Sequence, residues 1–435
     1  MRKCTISNLG TIVTGKTPST KNENYWGNEI PLVTPKDIQS SKHIFNTERY
    51  LTTSGANSVK GCILPPKSIC VSCIGNIGYT SMTIGRAVSN QQINSIIVNN
   101  EHDIDFVYYL MKSLWPYFKN YEGQSTTVSI LNKSQFSKIE ILIPDNVNIE
   151  RKIGAILSSI DNKIELNQQQ NNNLEQQAQV LIQEHTINLQ TIVPLDEFCN
   201  IFTGRKNANE FDKNGVNKFF TCGPEALSIN SYIYDGPAVI ISGNGAYTGR
   251  TRFYNGRFDL YQRTYACTLK EKVNSNYIYL LYPLLKMVLE KKLMGGTHGS
   301  AIPYIVMNDI AKFEVPFDKE IFDKVSPACK AIIDKIQTNE QENEKLAEMR
   351  DALLPKLMSG EIDVSKVKIN EILDNSLTDK LSFSVYLLYF QGNLNTPNWC
   401  YYQSGVSAIG IKSTLFQQNS PAGLGFTGFG LKSGL

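Results

Sequence analysis

The sequence contains no hydrophobic segment long enough to cross a bilayer. Its longest uncharged apolar stretch near the end, residues 381–390, is about half of what a transmembrane helix requires. The opening residues, MRKCTISNLG, contain no apolar core of a secretion signal. The nine cysteines lack the regular spacing of a disulfide framework. We therefore expect a soluble, cytoplasmic protein that does not associate with membranes.

Histidine is scarce, which argues against a histidine-based metal centre. The chain has four histidines: His43, His102, His185 and His298. They lack the spacing of metal ligands, so each is expected either at the surface or in the core with its hydrogen bonds satisfied. Cys70 and Cys73 form a C-x-x-C pair, but residues three apart in a strand point to opposite faces. We expect two buried strand cysteines there and no zinc site.

Recognisable catalytic motifs are absent as well. We find no Asn/Asp-Pro-Pro-aromatic tetrad of a methyltransferase, no carboxylate–lysine cluster of a nuclease and no G-x-S-x-G elbow of a hydrolase. One string, GTIVTGKT at residues 10–17, matches the P-loop consensus letter for letter. A phosphate-binding loop requires a buried strand before it and a helix after it, whereas the residues that flank this string are polar and irregular. These absences favour recognition of a partner over catalysis.

Positive charge is only slightly in excess, at a net +3, and it is unevenly distributed. Residues 1–147 carry 14 Lys/Arg against 10 Asp/Glu, and residues 191–317 carry 14 against 11. Residues 148–190 (3 against 5) and 318–360 (7 against 9) are each at −2. A basic bias suits a polyanionic partner. An ordinary solvated surface explains the same counts, so charge alone leaves both interpretations open.

What the sequence does contain is one long amphipathic pattern, twice. Apolar residues recur in alternating steps of four and three, the spacing of a heptad seam, and each position of the second copy lies 172 residues after its partner (332 − 160, 346 − 174). The predicted seam comprises Ile153, Leu157, Ile160, Ile164, Asn167, Asn171, Leu174 and Leu181, followed by Val325, Cys329, Ile332, Ile336, Asn339, Asn343, Leu346 and Leu353. The asparagines are expected to set an antiparallel register at some cost in stability.

The repeat extends into the globular segment that precedes each helix. TGK at residues 14–16 corresponds to TGR at 203–205, and the Gly-rich turn at 72–80 corresponds to that at 242–250. Both halves therefore share a tight turn that presents a cation. This duplication indicates a protein whose two halves meet through their helices.

The register of the repeat changes within the globular segments. We align Thr34 with Thr221 and Gly75 with Gly243, at offsets of 187 (221 − 34) and 168 (243 − 75). The first copy then holds 19 extra residues between these points (187 − 168), which we place in a loop.

These patterns predict an α+β fold with a pseudo-two-fold internal repeat. Short β-branched runs between Gly/Asn/Pro turns indicate two similar, mostly-β units, with helical patches at residues 104–118 and 277–293. Two long antiparallel coiled-coil helices separate the units. The predicted segments are a first globular domain (1–147), a first spacer helix (148–190), a second globular domain (191–317), a second spacer helix (318–362) and a poorly ordered extension (363–435).

Polar side chains able to read nucleic acid are concentrated in the turns of both units. Asn and Gln can pair with adenine and Arg with guanine, whereas Ser, Thr and Tyr reach bases or phosphates. Any single such residue is as readily a turn former, but recurrence at corresponding places favours DNA binding. The candidates are Lys16, Lys36, Asn76, Tyr79, Asn90, Gln91, Gln92, Gln124, Ser125, Arg205, Lys206, Asn244, Tyr247, Arg250, Gln262, Arg263, Thr297 and His298.

With these motifs in this order, residues 1–365 resemble the specificity (S) subunit of a type I restriction–modification system. The repeated TG[K/R] and Gly-rich turns carry the resemblance, together with the helices ILSSIDNKIELN and AIIDKIQTNEQENEKL and the ending LLPKLMSGEI. No single motif is specific, whereas their order and duplication are. The tail of about 70 residues departs from the family pattern, because such chains usually end soon after the second helix.

The resemblance implies that the two globular domains are target-recognition domains, each of which reads one half of a split double-stranded DNA target. It implies a subunit without catalytic residues, bound metal or bound cofactor. Its partners would be two modification subunits, which methylate adenine with S-adenosylmethionine, and restriction subunits, which use ATP and Mg²⁺. The helices would set the spacing of the two readers and dock the modification subunits.

Two other interpretations remain open from the sequence. One is a stand-alone enzyme, either a P-loop NTPase or a fused restriction–modification enzyme, which would hydrolyse ATP or bind S-adenosylmethionine by itself. The other is a coiled-coil tether whose globular ends bind protein or glycan. Such a tether would ignore all DNA, even with a modification subunit present.

Overall fold

A globular segment followed by a long helix occurs twice along the chain. The computed structural model describes residues 1–38, 41–122, 129–293 and 303–367. The first globular half comprises residues 1–146, the second comprises residues 187–318, and one long helix follows each. Helices and sheets are both present, as the α+β prediction required.

The first globular half is built mainly from short strands. They are β1 (Arg2–Thr5), β2 (Gly10–Thr14), β3 (Trp26–Gly27), β4 (Ile30–Val33), β5 (His43–Ile44), β6 (Arg49–Leu51), β7 (Ile63–Leu64), β8 (Ile69–Ser72), β9 (Thr80–Thr83), β10 (Ala87–Ser89), β11 (Ile93–Val98) and β12 (Glu140–Ile143). The helices are α1 (Thr53–Asn57), α2 (Ile104–Ser113), α3 (Trp115–Glu122) and α4 (Lys133–Ser137). Two five-stranded sheets have the orders β2-β11-β8-β9-β5 and β3-β6-β4-β10-β7, and β1 pairs with β12.

The second globular half follows the long helix α5 (Val147–Thr186) and repeats this plan with fewer strands. They are β13 (Ile192–Pro194), β14 (Cys199–Thr203), β15 (Asn217–Phe220), β16 (Leu227–Ile229), β17 (Tyr234–Ser242), β18 (Thr251–Leu260), β19 (Thr264–Leu269) and β20 (Glu314–Pro316). The helices are α6 (Tyr277–Leu293) and α7 (Met307–Ala311). One six-stranded sheet has the order β14-β19-β17-β18-β15-β16, and β13 pairs with β20. Both helical patches expected from the sequence are confirmed.

The two halves differ in their sheets because two long strands of the second half are each replaced by two shorter strands in the first half. In the second half, β17 and β18 extend over nine and ten residues, and both belong to the one six-stranded sheet. In the first half, Pro65 and Pro66 stand between β7 and β8, and neither has an N–H to donate to a strand ladder. Lys67 follows them with a φ of +63°. The ladder ends there, which leaves two smaller sheets.

The two long helices are α5 and α8 (Lys319–Ser359), with 40 and 41 residues. Asn146 caps the N-terminus of α5 and Asp318 caps that of α8, each by accepting a backbone N–H of the first turn. Gly360 ends α8 at a φ of +77°, a left-handed conformation that glycine adopts without strain. At 1.5 Å per residue, each helix is about 60 Å long. No described helix is both long and apolar enough to cross a membrane.

The long helices run antiparallel and meet through asparagine side chains at their middle. Asn167 donates its amide hydrogen to Asn343 Oδ1 at 2.9 Å, and Asn339 donates to Asn171 Oδ1 at 2.7 Å. The residue number rises along one helix as it falls along the other, which makes the pairing antiparallel. The offset of 172 residues maps one hydrogen bond onto the other. The four asparagines are therefore related by the internal pseudo-two-fold axis.

Each long helix contributes to two hydrophobic cores. The first core combines the first globular half with Leu157 near the start of α5 and Leu353 near the end of α8. The second core combines the second globular half with Ile182 near the end of α5 and Val325 near the start of α8. The globular halves consequently occupy opposite ends of one helical pair.

The predicted seam residues are all shielded from solvent at least in part, since each of the sixteen is buried or half-buried. The heptad pattern misses several buried positions, among them Ile182 and Ile333, which are more fully buried than the predicted Leu181 and Ile332. The buried face is wider than a two-helix seam because α5 and α8 also pack against α2 and α6. Supercoiling of the pair stays a prediction.

The residues just after the second helix pack on the first core. Val364 is 2% exposed and belongs to the first hydrophobic core, and the Ser365 carbonyl accepts a hydrogen bond from Lys152. The first residues of the segment that we expected to be a poorly ordered extension are therefore part of the packed structure. The rest of that segment, residues 368–435, lies outside the described residues.

Replacing Asn167 and Asn339 together with leucine should stabilise the protein. Both side chains are buried, and their amide oxygens have no hydrogen-bond partner among the described residues. Each leucine removes a buried amide oxygen without a partner, which costs about 1–3 kcal/mol, and one amide hydrogen bond, which contributes about 1 kcal/mol; we therefore expect the free energy of unfolding to rise by about 1–2 kcal/mol. Calorimetry of the double variant measures the change. Asn172→Leu, at an exposed position of the same helix, is the matched control. A double variant that melts no higher than this control contradicts the prediction.

Candidate nucleic-acid interface

Three turns of the first globular half are joined by backbone hydrogen bonds into one cluster. The N–H of Cys73 donates to the carbonyl of Gln92 at 2.7 Å. The N–H of Gly75 donates to the carbonyl of Ser129 at 3.2 Å. These bonds join the Gly-rich turn to two other turns that are distant in sequence. Candidate side chains from separate segments of the sequence are therefore brought together.

The TGK turn belongs to this cluster and is not a phosphate-binding loop. It follows β2, which is paired antiparallel with β11, and the next described helical turn is a single short 3₁₀ turn at residues 23–25. A Cβ on Gly15 would lie 2.2 Å from the Asn90 carbonyl oxygen, so only glycine fits this approach. Thr17 Oγ1 donates to Gln91 Oε1 at 3.0 Å. The turn thus packs on a neighbouring turn and precedes no helix N-terminus that would hold a phosphate.

The second globular half builds the same cluster from equivalent bonds. The N–H of Gly243 donates to the carbonyl of Arg263 at 2.8 Å. The N–H of Gly245 donates to the carbonyl of Pro303 at 3.1 Å. Each bond has its counterpart in the first half, so the two clusters share one backbone framework.

These equivalent bonds correct the alignment drawn from the sequence. Gly75 corresponds to Gly245, not to Gly243, whose counterpart is Cys73. The offset here is 170 residues (245 − 75), so the first copy holds 17 extra residues (187 − 170) instead of 19. The alignment by sequence was wrong because it matched glycines, whereas the position before the turn needs a glycine only in the second half. There a Cβ would lie 2.2 Å from the Arg263 carbonyl oxygen.

Most candidates of the first half are accessible in this cluster. Exposed side chains are those of Lys16, Lys36, Asn76 and Gln91, and half-buried ones are those of Tyr79 and Gln92. Asn90 is buried, and its amide donates to Gln92 Oε1 at 2.9 Å, so it supports the turn from inside. Lys36 forms an exposed ion pair with Glu48 at 3.5 Å. Gln124 and Ser125 lie outside the described residues.

The candidates of the second half have a similar distribution. Exposed side chains are those of Arg205, Tyr247, Gln262 and Arg263, and half-buried ones are those of Lys206, Asn244 and Arg250. The Arg250 guanidinium lies 5.5 Å from the Tyr247 ring centroid. Thr297 and His298 lie outside the described residues. The chain returns from that segment at Pro303, within the cluster.

Sequence reasoning missed one turn of the second cluster. Residues 221–223 follow β15 and lie against the turn at 261–263, where Cys222 Sγ donates to the Arg263 carbonyl at 3.2 Å. Arg252 holds this turn from below, and burial together with nearby Arg250 lowers the pKa of Arg252 to about 10. The sequence did contain a signal for this turn, because the alignment of Thr34 with Thr221 pairs residues 221–223 with the turn that carries Lys36.

Both cysteines of the C-x-x-C pair are buried, but only Cys70 lies in a strand, β8, because Cys73 follows the end of that strand. Burial raises the pKa of Cys70 to about 11 and that of Cys73 to about 12, and the two belong to different hydrophobic clusters. Among the described residues, no group of three or more His, Cys, Asp or Glu side chains is arranged to hold a metal ion. His102 pairs with Glu150 at 3.0 Å, and His185 bonds a backbone carbonyl. These residues therefore serve the packing of the chain.

Buried charges fasten the first globular half to the helical pair. Asp161 of α5 accepts from Arg350 of α8 at 2.7 Å and from the Tyr109 hydroxyl of α2 at 2.6 Å. His43 Nδ1 of β5 lies within hydrogen-bond distance of Glu165 of α5, at 2.7 Å. Breaking a buried ion pair typically costs about 3–5 kcal/mol, so we expect Asp161 and its two partners to join α2 firmly to both long helices.

A different set of contacts fastens the second globular half. Glu175 of α5 accepts from Lys286 at 2.8 Å and from the Tyr282 hydroxyl at 3.2 Å, both on α6. The pseudo-two-fold counterparts of Asp161 and Arg350 are Ile333 and Ala178 (161 + 172; 350 − 172), which are apolar and buried. The helical pair is symmetric at its centre, whereas its attachments to the two halves are not.

This duplicated arrangement matches a known family model. The model described as "Type I restriction modification DNA specificity domain" matches residues 1–176 and again residues 190–347. The chain belongs to this family. Each specificity domain comprises one globular half and most of the long helix that follows it, which is the unit that the internal repeat defines.

Two relatives match this chain over very different lengths. The specificity subunit of the type I restriction enzyme HindI from Haemophilus influenzae is 39% identical over 168 residues, which cover 36% of this chain and 37% of that protein. The MjaIX specificity subunit of Methanocaldococcus jannaschii is 25% identical over 407 residues, which cover 83% of this chain and 93% of that one. The match to HindI thus spans about a third of that protein, whereas the match to MjaIX spans nearly all of it.

A solved structure has the same overall fold. The crystal structure of the type I restriction–modification system S subunit from M. genitalium superposes with a TM-score of 0.50 at 17% identity. The match covers 82% of this chain and 95% of that one. Because the identity is low, this likeness concerns only the arrangement of the halves and helices.

Replacing Gly15 with alanine should disturb the first cluster without opening the core. The added Cβ would lie 2.2 Å from two backbone carbonyl oxygens, so the TGK turn must move. We expect the unfolding free energy to fall by about 1–3 kcal/mol, as for other overpacked sites. Gly85→Ala is the control, since a Cβ there meets no atom within 4 Å, and its effect should stay within about 0.5 kcal/mol. Equal melting temperatures for the two variants would refute this assignment of the turn.

Proposed function

We propose that this protein is the DNA-recognition subunit of a type I restriction–modification complex, in which each globular half reads one half of a divided target. One observation carries the proposal: the same framework of turns occurs once in each half, at opposite ends of one antiparallel helical pair. Two readers on one spacer suit two short sequences separated by unspecified bases.

The side chains of the two clusters supply the chemistry for this task. Exposed Gln91 and Gln262 offer amides that can pair with adenine, and exposed Arg263 offers a fork of donors that can pair with guanine. Lys16 and Arg205 occupy equivalent turns, where each can contact a phosphate and position its half on the duplex. The clusters share a backbone but differ in side chains, so we assign them different half-sequences.

In this proposal the chemical steps belong to partner subunits. Two modification subunits would dock on the helical pair and methylate adenine with S-adenosylmethionine, and restriction subunits would use ATP and Mg²⁺. The exposed flank of α5 offers polar docking groups such as Gln169, Asn172 and Gln176. The P-loop alternative is disfavoured by the geometry of the TGK turn, and no feature of the described residues favours a protein or glycan tether.

Methylation mapping tests the proposal directly. In cells that express this chain with its modification subunits, the methylated sequence should be split and non-palindromic, since two dissimilar clusters sit on one spacer. Single-molecule sequencing with and without the gene reveals the site. A continuous palindrome, or no gene-dependent methylation from an expressed locus, would refute the proposed function.

Lengthening the helical pair should lengthen the unspecified spacer. Four residues inserted between Asn167 and Asn171, and four between Asn339 and Asn343, extend the pair by about 6 Å and rotate one half by roughly 40°. Two base pairs of DNA rise by about 6.8 Å, so the halves can re-engage on a longer site. We expect both half-sequences to persist with one or two more bases between them, as read by methylation mapping.

The control for this insertion leaves the helices unchanged. The same four residues are placed among residues 188–190, between α5 and β13, where they add loop and no helix. This variant should keep the original spacer. If an active helix variant also keeps it, the helices do not set the distance between the readers.

A further inference from the structure

Arg252 lies beneath a turn of the second cluster and holds two of its carbonyl groups. It is half-buried on β18, and its guanidinium donates to the carbonyls of Thr221 at 2.9 Å and Gly223 at 3.3 Å. The same guanidinium lies 5.1 Å from the ring centroid of Phe220. A planar fork that lies over a ring and is bonded to two carbonyls is a rigid support for the turn at residues 221–223.

The supported turn is linked to two other turns of the cluster. Cys222 Sγ donates to the Arg263 carbonyl at 3.2 Å, and the same carbonyl accepts the N–H of Gly243 at 2.8 Å. The turns at 221–223, 243–249 and 261–263 therefore share one hydrogen-bonded junction. A shift of the first turn changes the positions of the other two, which carry four of the accessible candidate side chains: Asn244, Tyr247, Gln262 and Arg263.

The first half holds its equivalent turn by different chemistry. There, Asp37 Oδ2 accepts the Thr34 N–H at 2.7 Å, and Asp37 Oδ1 accepts the Glu48 N–H at 3.0 Å. The position equivalent to Arg252 is Ser81, because Ser81 pairs with Cys70 of β8 as Arg252 pairs with Ile240 of β17 (240 − 170 = 70). The Ser81 hydroxyl donates to a single backbone carbonyl. In the first half a carboxylate inside the turn holds the turn in place, whereas in the second half a guanidinium beneath the turn does so.

We propose that Arg252 is a positioning residue for base recognition by the second half. It does not read bases itself. It sets the relative positions of three turns, and with them the discrimination among base pairs in the second half of the target. This inference rests on the proposed function and concerns that half alone, since the first half has its own support at Asp37.

The test compares Arg252→Met with the natural chain in the assembled complex with modification subunits. Methylation is measured on DNA sites that carry single base-pair changes in either half of the mapped target. We expect discrimination against changes in the second half to fall at least about tenfold, and discrimination in the first half to stay unchanged. Arg257→Met is the matched control, because Arg257 lies on the same strand, is exposed and pairs with Asp235 at 3.0 Å. This control variant should leave discrimination unchanged in both halves of the DNA target.

A second variant separates positioning from charge and from folding. Arg252→Lys keeps the positive charge but replaces the rigid fork with one ammonium group. We expect it to lose discrimination in the second half as well, and it decides the question if the methionine variant does not fold. Restoration of discrimination by lysine would overturn the inference. So would a lower melting temperature with unchanged discrimination in both halves. A natural chain that methylates no divided target refutes the proposed function itself, and the inference with it.

Discussion

Two amide hydrogen bonds join the two long helices where the internal axis crosses them. Asn167 bonds Asn343 and Asn339 bonds Asn171, and we expect these bonds to hold the antiparallel register of α5 and α8. Apolar side chains would pack there with less penalty but would allow the helices to slide by a heptad. Once the register is fixed, each globular half closes its core around one end of the pair.

Patterns that depend on neighbouring residues were predictable from the sequence. The heptad spacing indicated both long helices, the repeat indicated two equivalent halves, and the TGK turn was correctly separated from nucleotide-binding loops. The split of the first sheet was not predicted, because it depends on how Pro65 and Pro66 meet a strand from elsewhere in the chain. The alignment was wrong at Gly75 because an insertion had to be placed without knowing which backbone bonds recur. Arg252 was missed since its role arises only when β18 passes beneath a turn thirty residues earlier.

The central symmetry and the asymmetric attachments suit two different demands. The asparagine centre treats both halves alike, as a spacer for two readers requires. Asp161 with Arg350 anchors one half, and Glu175 with Lys286 anchors the other, so each angle is set by its own contacts. Asp37 and Arg252 continue this divergence in the turns themselves. We therefore expect that the contacts of one half can change without altering those of the other.

The sharing of each helix between two cores has a thermodynamic consequence. Ile182 of α5 lies in the second core and Leu353 of α8 lies in the first, although each belongs to a helix that enters both cores. Unfolding of either long helix therefore removes apolar contacts from both halves. The stability of each half is thus coupled to that of the other through the helices that they share.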